Sequence, residues 1–311
     1  MSKIVIALGG NALQANPKDT SANSQLNTAK DTAKYLVDLV EEGHNIIIAH
    51  GNGPQVGQIV STYESSNSSV MMPFPECGAM SQGYIGYHLQ QAIKIELMKR
   101  KINKDVVTLI TEVVVDEKDE NFSNPSKPIG SFFTKEETKK ISDEKGYVFK
   151  EDAGRGWRRV VASPLPVKIV EENSIKALVN AGHIVITVGG GGIPVIEKDG
   201  YLKGVDAVID KDFASEKLAE ILDADKLLIL TAVEKVYINY GKPEEESLDK
   251  VTVELMNKYM EEGHFAPGSM LPKVRAAIKF AASKEHRETV ITSLDKVKEG
   301  LEGATGTSIS L

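Results

Sequence analysis

Two lysines and three glycine-rich bends give this chain the means to hold a group that carries several negative oxygens. Lys211 stands inside Asp210-Lys211-Asp212, just ahead of a helical pattern. Lys273 closes the run Gly268-Ser269-Met270-Leu271-Pro272-Lys273. Proline is well tolerated in an opening helical turn, so this run predicts a loop feeding a helix N-terminus, where backbone amides and Lys273 converge on one anion. Solvent-facing lysines are the ordinary alternative for both positions. Asp210 is placed either to hold the two ammonium groups or to cap the helix behind it, and spacing alone favours the cap.

The bends are Gly9-Gly10-Asn11, His50-Gly51-Asn52-Gly53-Pro54-Gln55 and Gly189-Gly190-Gly191-Gly192-Ile193-Pro194. Glycine permits positive φ and lets backbone amides approach an anion, so each bend is a candidate phosphate or carboxylate cradle. A single bend of this kind often serves only tight packing; three in one chain carry more weight. The spacing Gly51-x-Gly53-x-x-x-Gly57 departs from the dinucleotide fingerprint by one extra residue and by Pro54, and no Gly-x-x-x-x-Gly-Lys-[Ser/Thr] loop occurs. His50, His183 and His264 lack metal-ligand spacing and read as structural or solvent-facing, so no metal site built from side chains is expected.

These bends need elements to position them. Short apolar runs at Ile4–Leu8, Asn45–Ala49, Ile184–Val188 and Lys226–Leu230 read as parallel strands, each followed by a turn and a helical pattern. Helical spacing appears in Leu26, Ala29, Ala33, Leu36 and Val40 before Gly43, and in Ile85, Leu89, Ile93 and Leu97. It recurs in Ala214, Leu218, Ile221 and Leu222, and in Val274, Ala277, Ile278 and Ala281. Strands alternating with helices predict a doubly wound α/β sandwich, whose ligands bind beyond the carboxyl ends of the strands. Between about residues 116 and 159 the texture turns charged, with Pro125, Pro128, Gly130, Gly146, Gly154 and Gly156 and no clean helical stripe, which reads as an insertion.

Composition narrows the function further. At 311 residues the chain accommodates two lobes or one large α/β unit. A net charge of -7 argues against a nucleic-acid partner, which would need a broad basic face. Cys77 is the only cysteine, so neither an intrachain disulfide nor a cysteine zinc cluster is available; a reducing, cytoplasmic setting is expected. No apolar run approaches about 18 residues, so no membrane association is expected.

Across nearly its whole length the chain resembles the carbamate kinases. The resemblance is carried by Ala7-Leu8-Gly9-Gly10-Asn11-Ala12-Leu13, by the His50 to Gly57 bend, and by Glu76-Cys77-Gly78-Ala79-Met80-Ser81-Gln82-Gly83. It continues through Asp206-Ala207-Val208-Ile209-Asp210-Lys211-Asp212, Gly189 to Val195 and Pro267 to Lys273. Lys127-Pro128-Ile129-Gly130 and Gly154-Arg155-Gly156-Trp157-Arg158-Arg159 discriminate this family from acetylglutamate, aspartate and uridylate kinases of the same fold. Acetylglutamate-type kinases place a lysine just before the first Gly-Gly, where this chain, like the carbamate kinases it resembles, lacks one and has Ala7-Leu8.

The resemblance implies a single amino-acid-kinase domain over 1–311, a three-layer α/β/α sandwich with a mostly parallel central sheet and a protruding lid subdomain at about 116–159. An N-terminal lobe, 1–195, would take carbamate, and a C-terminal lobe, 196–311, would take ATP or ADP with Mg2+ held mainly through the phosphates. Gly9, Gly10, Asn11, Gly51, Asn52 and Gly53 would cradle carbamate or carbamoyl phosphate and the migrating phosphoryl group. Lys127 would reach in from the lid, Lys211 and Lys273 would neutralise phosphoryl oxygens, and Asp210 would organise them. Ala232, Val233, Tyr237, Gly268 and Met270, with the two C-terminal lysines, would line the nucleotide pocket. A cytoplasmic homodimer working in arginine fermentation is the usual family setting. A carbamoyl-phosphate-forming enzyme and a catalytically silent nucleotide-binding regulator are the rival readings.

Overall fold

The computed structural model describes residues 1–16, 18–65, 72–152 and 154–311, with the backbone alone at Asn11. Its centre is an eight-stranded sheet in the order Lys250–Thr252, Thr307–Ser310, Glu288–Ser293, Lys226–Thr231, Lys3–Leu8, Asn45–His50, Ile184–Ile186, Val106–Thr108. The six strands from Glu288–Ser293 to Val106–Thr108 run parallel, and Thr307–Ser310 pairs antiparallel with Glu288–Ser293. Lys3–Leu8 is central because both its faces are apolar. Val5 and Ala7 join Ile47, Ala49, Leu227 and Ile229 in one core, while Ile4, Ile6 and Leu8 join Ile46, Ile48, Leu228 and Leu230 in the other. Burial on both faces is why these strands read as continuous apolar runs rather than as alternating ones.

Helices close both faces. They are α1 (Ala22–Glu41), α2 (Gly53–Ser65), α3 (Phe74–Lys99), α4 (Lys135–Lys145), α5 (Glu172–Asn180), α6 (Lys211–Ile221), α7 (Val253–Glu261), α8 (Met270–Ala282) and α9 (Val297–Leu301). Leu36, Leu89, Ile93 and Val297 place α1, α3 and α9 on one face. Ile175, Leu218, Met256 and Phe280 place α5, α6, α7 and α8 on the other, which makes a three-layer α/β/α sandwich.

The insertion is a folded subdomain. Lys127–Phe133, Trp157–Val161 and Val148–Glu151 form a three-stranded antiparallel sheet, and α4 connects the first of these strands to the last. Sequence periodicity gave no helix here because α4 buries only Thr138, so no apolar stripe is written into it. Its signal lies at the ends instead: Thr134 and Glu137 form a reciprocal capping box, and Gly146 ends the helix at φ 69°. A second, four-stranded sheet (Glu112–Val115, Pro166–Ile169, Ile193–Lys198 and Tyr201–Gly204) flanks this excursion in sequence.

Three strands run one residue longer than expected, as Lys3–Leu8, Asn45–His50 and Lys226–Thr231, and two further boundaries bear on the site. The strand expected to reach Val188 ends at Ile186, since Val188 takes a left-handed φ of 44° and opens the glycine turn. Helix α8 begins at Met270, which makes Pro272 its third residue; there an amide would still have no intrahelical acceptor.

Candidate active site

Several of the predicted residues meet at the carboxyl ends of the central strands. Lys3–Leu8 delivers Gly9 and Gly10, Asn45–His50 delivers Gly51 to Gly53, and Lys226–Thr231 delivers Ala232 and Val233. The N-terminal turns of α6 and α8 bring Lys211 and Lys273 to the same place. The side chain of Asn11 lies outside the described residues.

Asp212 ties the two lysines together. Its Oδ1 accepts from Lys211 Nζ at 2.5 Å and its Oδ2 from Lys273 Nζ at 3.1 Å, and the residue is 1% exposed. Burial by itself would raise the Asp212 carboxyl, but the Lys211 and Lys273 ammonium groups together hold it below its ordinary value. Asp210 does something different. Its Oδ1 caps α6 by accepting the Asp212 amide at 3.0 Å, and its Oδ2 accepts Lys127 Nζ at 2.9 Å. Organising Lys211 and Lys273 therefore falls to Asp212, and Asp210 docks the insertion's lysine. The sequence reading passed over Asp212 because its partners lie on separate helices.

Two cavities share the wall formed by Thr231 and Ala232. The first, about 210 Å³, is lined by Gly9, Gly10, Lys211, Lys273 and Leu294. A second of about 200 Å³ is lined by Val233, Tyr237, Tyr240, His264, Phe265, Ala266, Ser269 and Met270. The cleft thus runs from a cationic, glycine-floored end to an aromatic, apolar end. Gly268 lies in the turn ahead of α8, outside this lining, whereas Tyr240 belongs to it without a signal in the sequence and His264, expected to be structural or solvent-facing, lines it as well. Lys127 reaches the same region only through Asp210.

The Gly189–Gly192 bend supports this site rather than binding within it. All four glycines are buried, and a side chain added at Gly190, which sits at φ 67°, would come within 2.2 Å of Asn52 Nδ2. Gly189 has the same relation to the His50 ring at 2.6 Å, and Gly191 to the Ile209 carbonyl at 2.1 Å. Asn52 Nδ2 also donates to Ser81 Oγ at 2.8 Å, while Gln82 donates to the Gly189 carbonyl at 3.0 Å and to the Thr111 carbonyl at 3.1 Å. The second bend is therefore set on a buried polar lattice supplied by α3. His50 belongs to that lattice. Burial lowers its imidazole to about 4, and Nδ1 lies 2.8 Å from the Gly51 carbonyl.

Comparison with known proteins places the chain in a family. The amino acid kinase family matches residues 2–293. A carbamate kinase of Clostridium perfringens is 57% identical over 311 residues, 99% of each chain, and a carbamate kinase-like protein of Escherichia coli is 56% identical over 99% of this chain and 98% of its own. Among solved structures, carbamate kinase from Giardia lamblia bound to AMP-PNP superposes with a TM-score of 0.95 at 41% identity, covering 99% of this chain and 98% of the other. The chain belongs to the carbamate kinases, within the amino acid kinase family. For a carbamate kinase, a cleft with one cationic and one apolar end is an arrangement able to seat the two halves of a nucleotide. Among the described residues no helix is long and apolar enough to cross a membrane, and no cluster of His, Cys, Asp and Glu is arranged to hold a metal ion.

Proposed function

We propose that this chain moves a phosphoryl group reversibly between ATP and carbamate, working in the cell from carbamoyl phosphate to ADP. The observation that carries the assignment of roles is the convergence of Lys211 and Lys273 on Asp212 at the floor of a cleft whose other end is apolar. The adenine ring would enter among Val233, Tyr237 and Met270, with Ala232 at the junction. The phosphates would then extend toward Lys211, Lys273 and the Gly9-Gly10 bend. Carbamate would sit across from them, over Gly51, Asn52 and Gly53, so the lobe of residues 1–195 supplies the acceptor side and that of 196–311 the nucleotide side.

Carbamate presents an oxygen that is already anionic near neutral pH, so its attack on the γ-phosphorus needs no general base. His50, held neutral by burial, fits a supporting part rather than proton transfer. Catalysis then rests on alignment and on neutralising charge spread over the equatorial oxygens. In this reading Lys211 and Lys273 face those oxygens, and Asp212 keeps the two cations side by side while the site is empty of phosphate. Lys127, held by Asp210, closes the site from the insertion, which acts as the lid. Asp210 and Asp212 are both engaged by lysines, so Mg2+ would be carried by the nucleotide phosphates, where it screens the charge on the β- and γ-oxygens.

A second copy of the chain is the partner we assign. Tyr87, Ile95 and Met98 are exposed apolar residues on one side of α3, with Gln91 between the first two, and sedimentation velocity checks the dimer. A reducing cytoplasm fits the buried thiol of Cys77. The deciding experiment measures ATP formed from ADP and carbamoyl phosphate, beside acetyl phosphate as a second acyl phosphate. Robust ATP formation with carbamoyl phosphate and little with acetyl phosphate is expected. Absence of ATP from both would end the proposal.

A further inference from the structure

We propose that Glu216, through its ion pair with Lys279, is a positioning residue for phosphoryl transfer, fixing α8 against α6 so that Lys273 and Lys211 address the same point. The inference rests on the functional reading above and extends it to a residue remote from the cleft.

Helix α6 presents Asp212 and Glu216 one turn apart, hence on one face, and both are buried. Each accepts a lysine from α8. Asp212 takes Lys273 at 3.1 Å at the floor of the cleft, and one turn further from the cleft the buried Glu216 takes the half-exposed Lys279 at 2.6 Å. The result is a two-rung ladder between the helices whose first turns carry the phosphoryl-site lysines. Between the rungs the helices share an apolar core that includes Leu218, Ala277 and Phe280, and beyond their C-terminal ends Lys284 and Arg287 pair with Asp223 at 2.8 and 2.9 Å. Apolar contacts are non-directional and tolerate small slides, whereas a charge-assisted hydrogen bond fixes the register. The outer rung alone cannot do this, because Lys273 must also meet the substrate.

Glu216 is an uneconomical choice for packing alone. It is 0% exposed, and its Oε1 has no hydrogen-bond partner among the described residues. Buried ion pairs are commonly matched or bettered for stability by apolar side chains of like volume. Burial is the main influence lifting the Glu216 carboxyl, to about 7; Lys279 opposes the rise and Glu220 on the next turn of α6 adds to it. Glu220 is itself engaged by Lys217 at 2.9 Å. Protonation of Glu216 on the acid side of neutrality removes its charge from the inner rung, so turnover should fall there while substrate affinity holds.

The test compares the full-length protein with Glu216→Gln, Lys279→Met and the double variant, measuring kcat and both KM values in the ATP-forming direction from about pH 5.5 to 8.5. A displacement of Lys273 on the order of 1 Å is enough to cost up to 10²-fold, so each single variant should lose about tenfold in kcat at pH 8, with KM for ADP and for carbamoyl phosphate within about twofold. The double variant should be no worse than the poorer single, as expected for one shared interaction. The parental kcat should show an acid limb near pH 7 that both single variants lack. If Glu216→Gln does not fold, Lys279→Met decides alone, since Lys279 is half-exposed. A folded Lys279→Met variant with parental kcat and an intact acid limb overturns the inference. A parental protein that forms no ATP overturns the functional reading and the inference with it.

Discussion

Replacing Asp212 by Asn leaves the shape of the site intact and removes the charge that binds its two lysines. At an effective dielectric of about 20, each of the contacts at 2.5 and 3.1 Å corresponds to an attraction on the order of 5 to 7 kcal/mol before desolvation is counted. Breaking one side of a buried pair costs about 3–5 kcal/mol net, and an amide that still accepts one hydrogen bond places Asp212→Asn near the lower end. Lys211 and Lys273 would then repel without a mediator, which withdraws preorganised donors worth about 3–4 kcal/mol of barrier, or roughly 10²–10³ in kcat. Stopped assays of ATP formation read the second loss, and thermal melts read the first. Two further signs belong to the same cause. Phosphate oxygens replace the missing carboxylate, so ATP should raise the melting temperature of the variant by more than it raises that of the parent. The folded-state carboxyl lies below its ordinary 3.8, so its stabilising contribution is complete above about pH 4 and vanishes as the pH falls through the depressed value. The gap between parent and variant should therefore close in acid. A variant within threefold of parental kcat would refute the reasoning, whatever its melting temperature.

Three other perturbations probe the neighbouring parts. Gly190→Ala forces a methyl group against Asn52 at a positive φ, so it should lower stability by about 1–3 kcal/mol and kcat by up to about 10²-fold; parental values in melts and turnover would remove the supporting role of the buried bend. Ala232→Trp fills the wall shared by the two cavities and should raise KM for ADP at least about tenfold, about 1.4 kcal/mol, with an unchanged circular dichroism spectrum; unaltered ADP affinity would move the nucleotide elsewhere. Lys127→Met removes the cation that Asp210 holds at 2.9 Å and should cost about 10² in kcat while the Asp210 cap keeps α6 formed. Parental turnover in that variant would reduce the insertion's lysine to a surface ion pair.

The legible part of the molecule is the part governed by local rules. Ile4–Leu8, Asn45–Ala49 and Lys226–Leu230 announce themselves as strands because burial on both faces demands unbroken apolar runs, and the α1, α3, α6 and α8 stripes announce helices that each bury one side. Helix α4 escaped the same test because it is nearly all polar, and only its capping box and Gly146 mark it. Val188 escaped because an apolar residue in left-handed backbone is not foreseeable from its type. Glycine bends are visible as composition, but their use is not. Gly9 and Gly10 line a cavity while Gly189–Gly192 are sealed by His50, Asn52, Ile209 and Val113 in turn, a difference made by which element packs on top.

By itself the sequence determined the α/β alternation, the turns that end the strands, and the presence of lysines at two helix starts, since each depends on residues within one or two turns of one another. Only the tertiary structure decided that Asp212 rather than Asp210 bridges those lysines, that Asp210 holds Lys127, and that Glu216 meets Lys279. The physical reason is that an ion pair forms wherever the packing of two helices, or of a helix and an insertion, brings charges within reach. In this chain the helix-to-helix pairs span 61 and 63 residues and the Lys127 pair spans 83, distances over which no periodicity or propensity carries information.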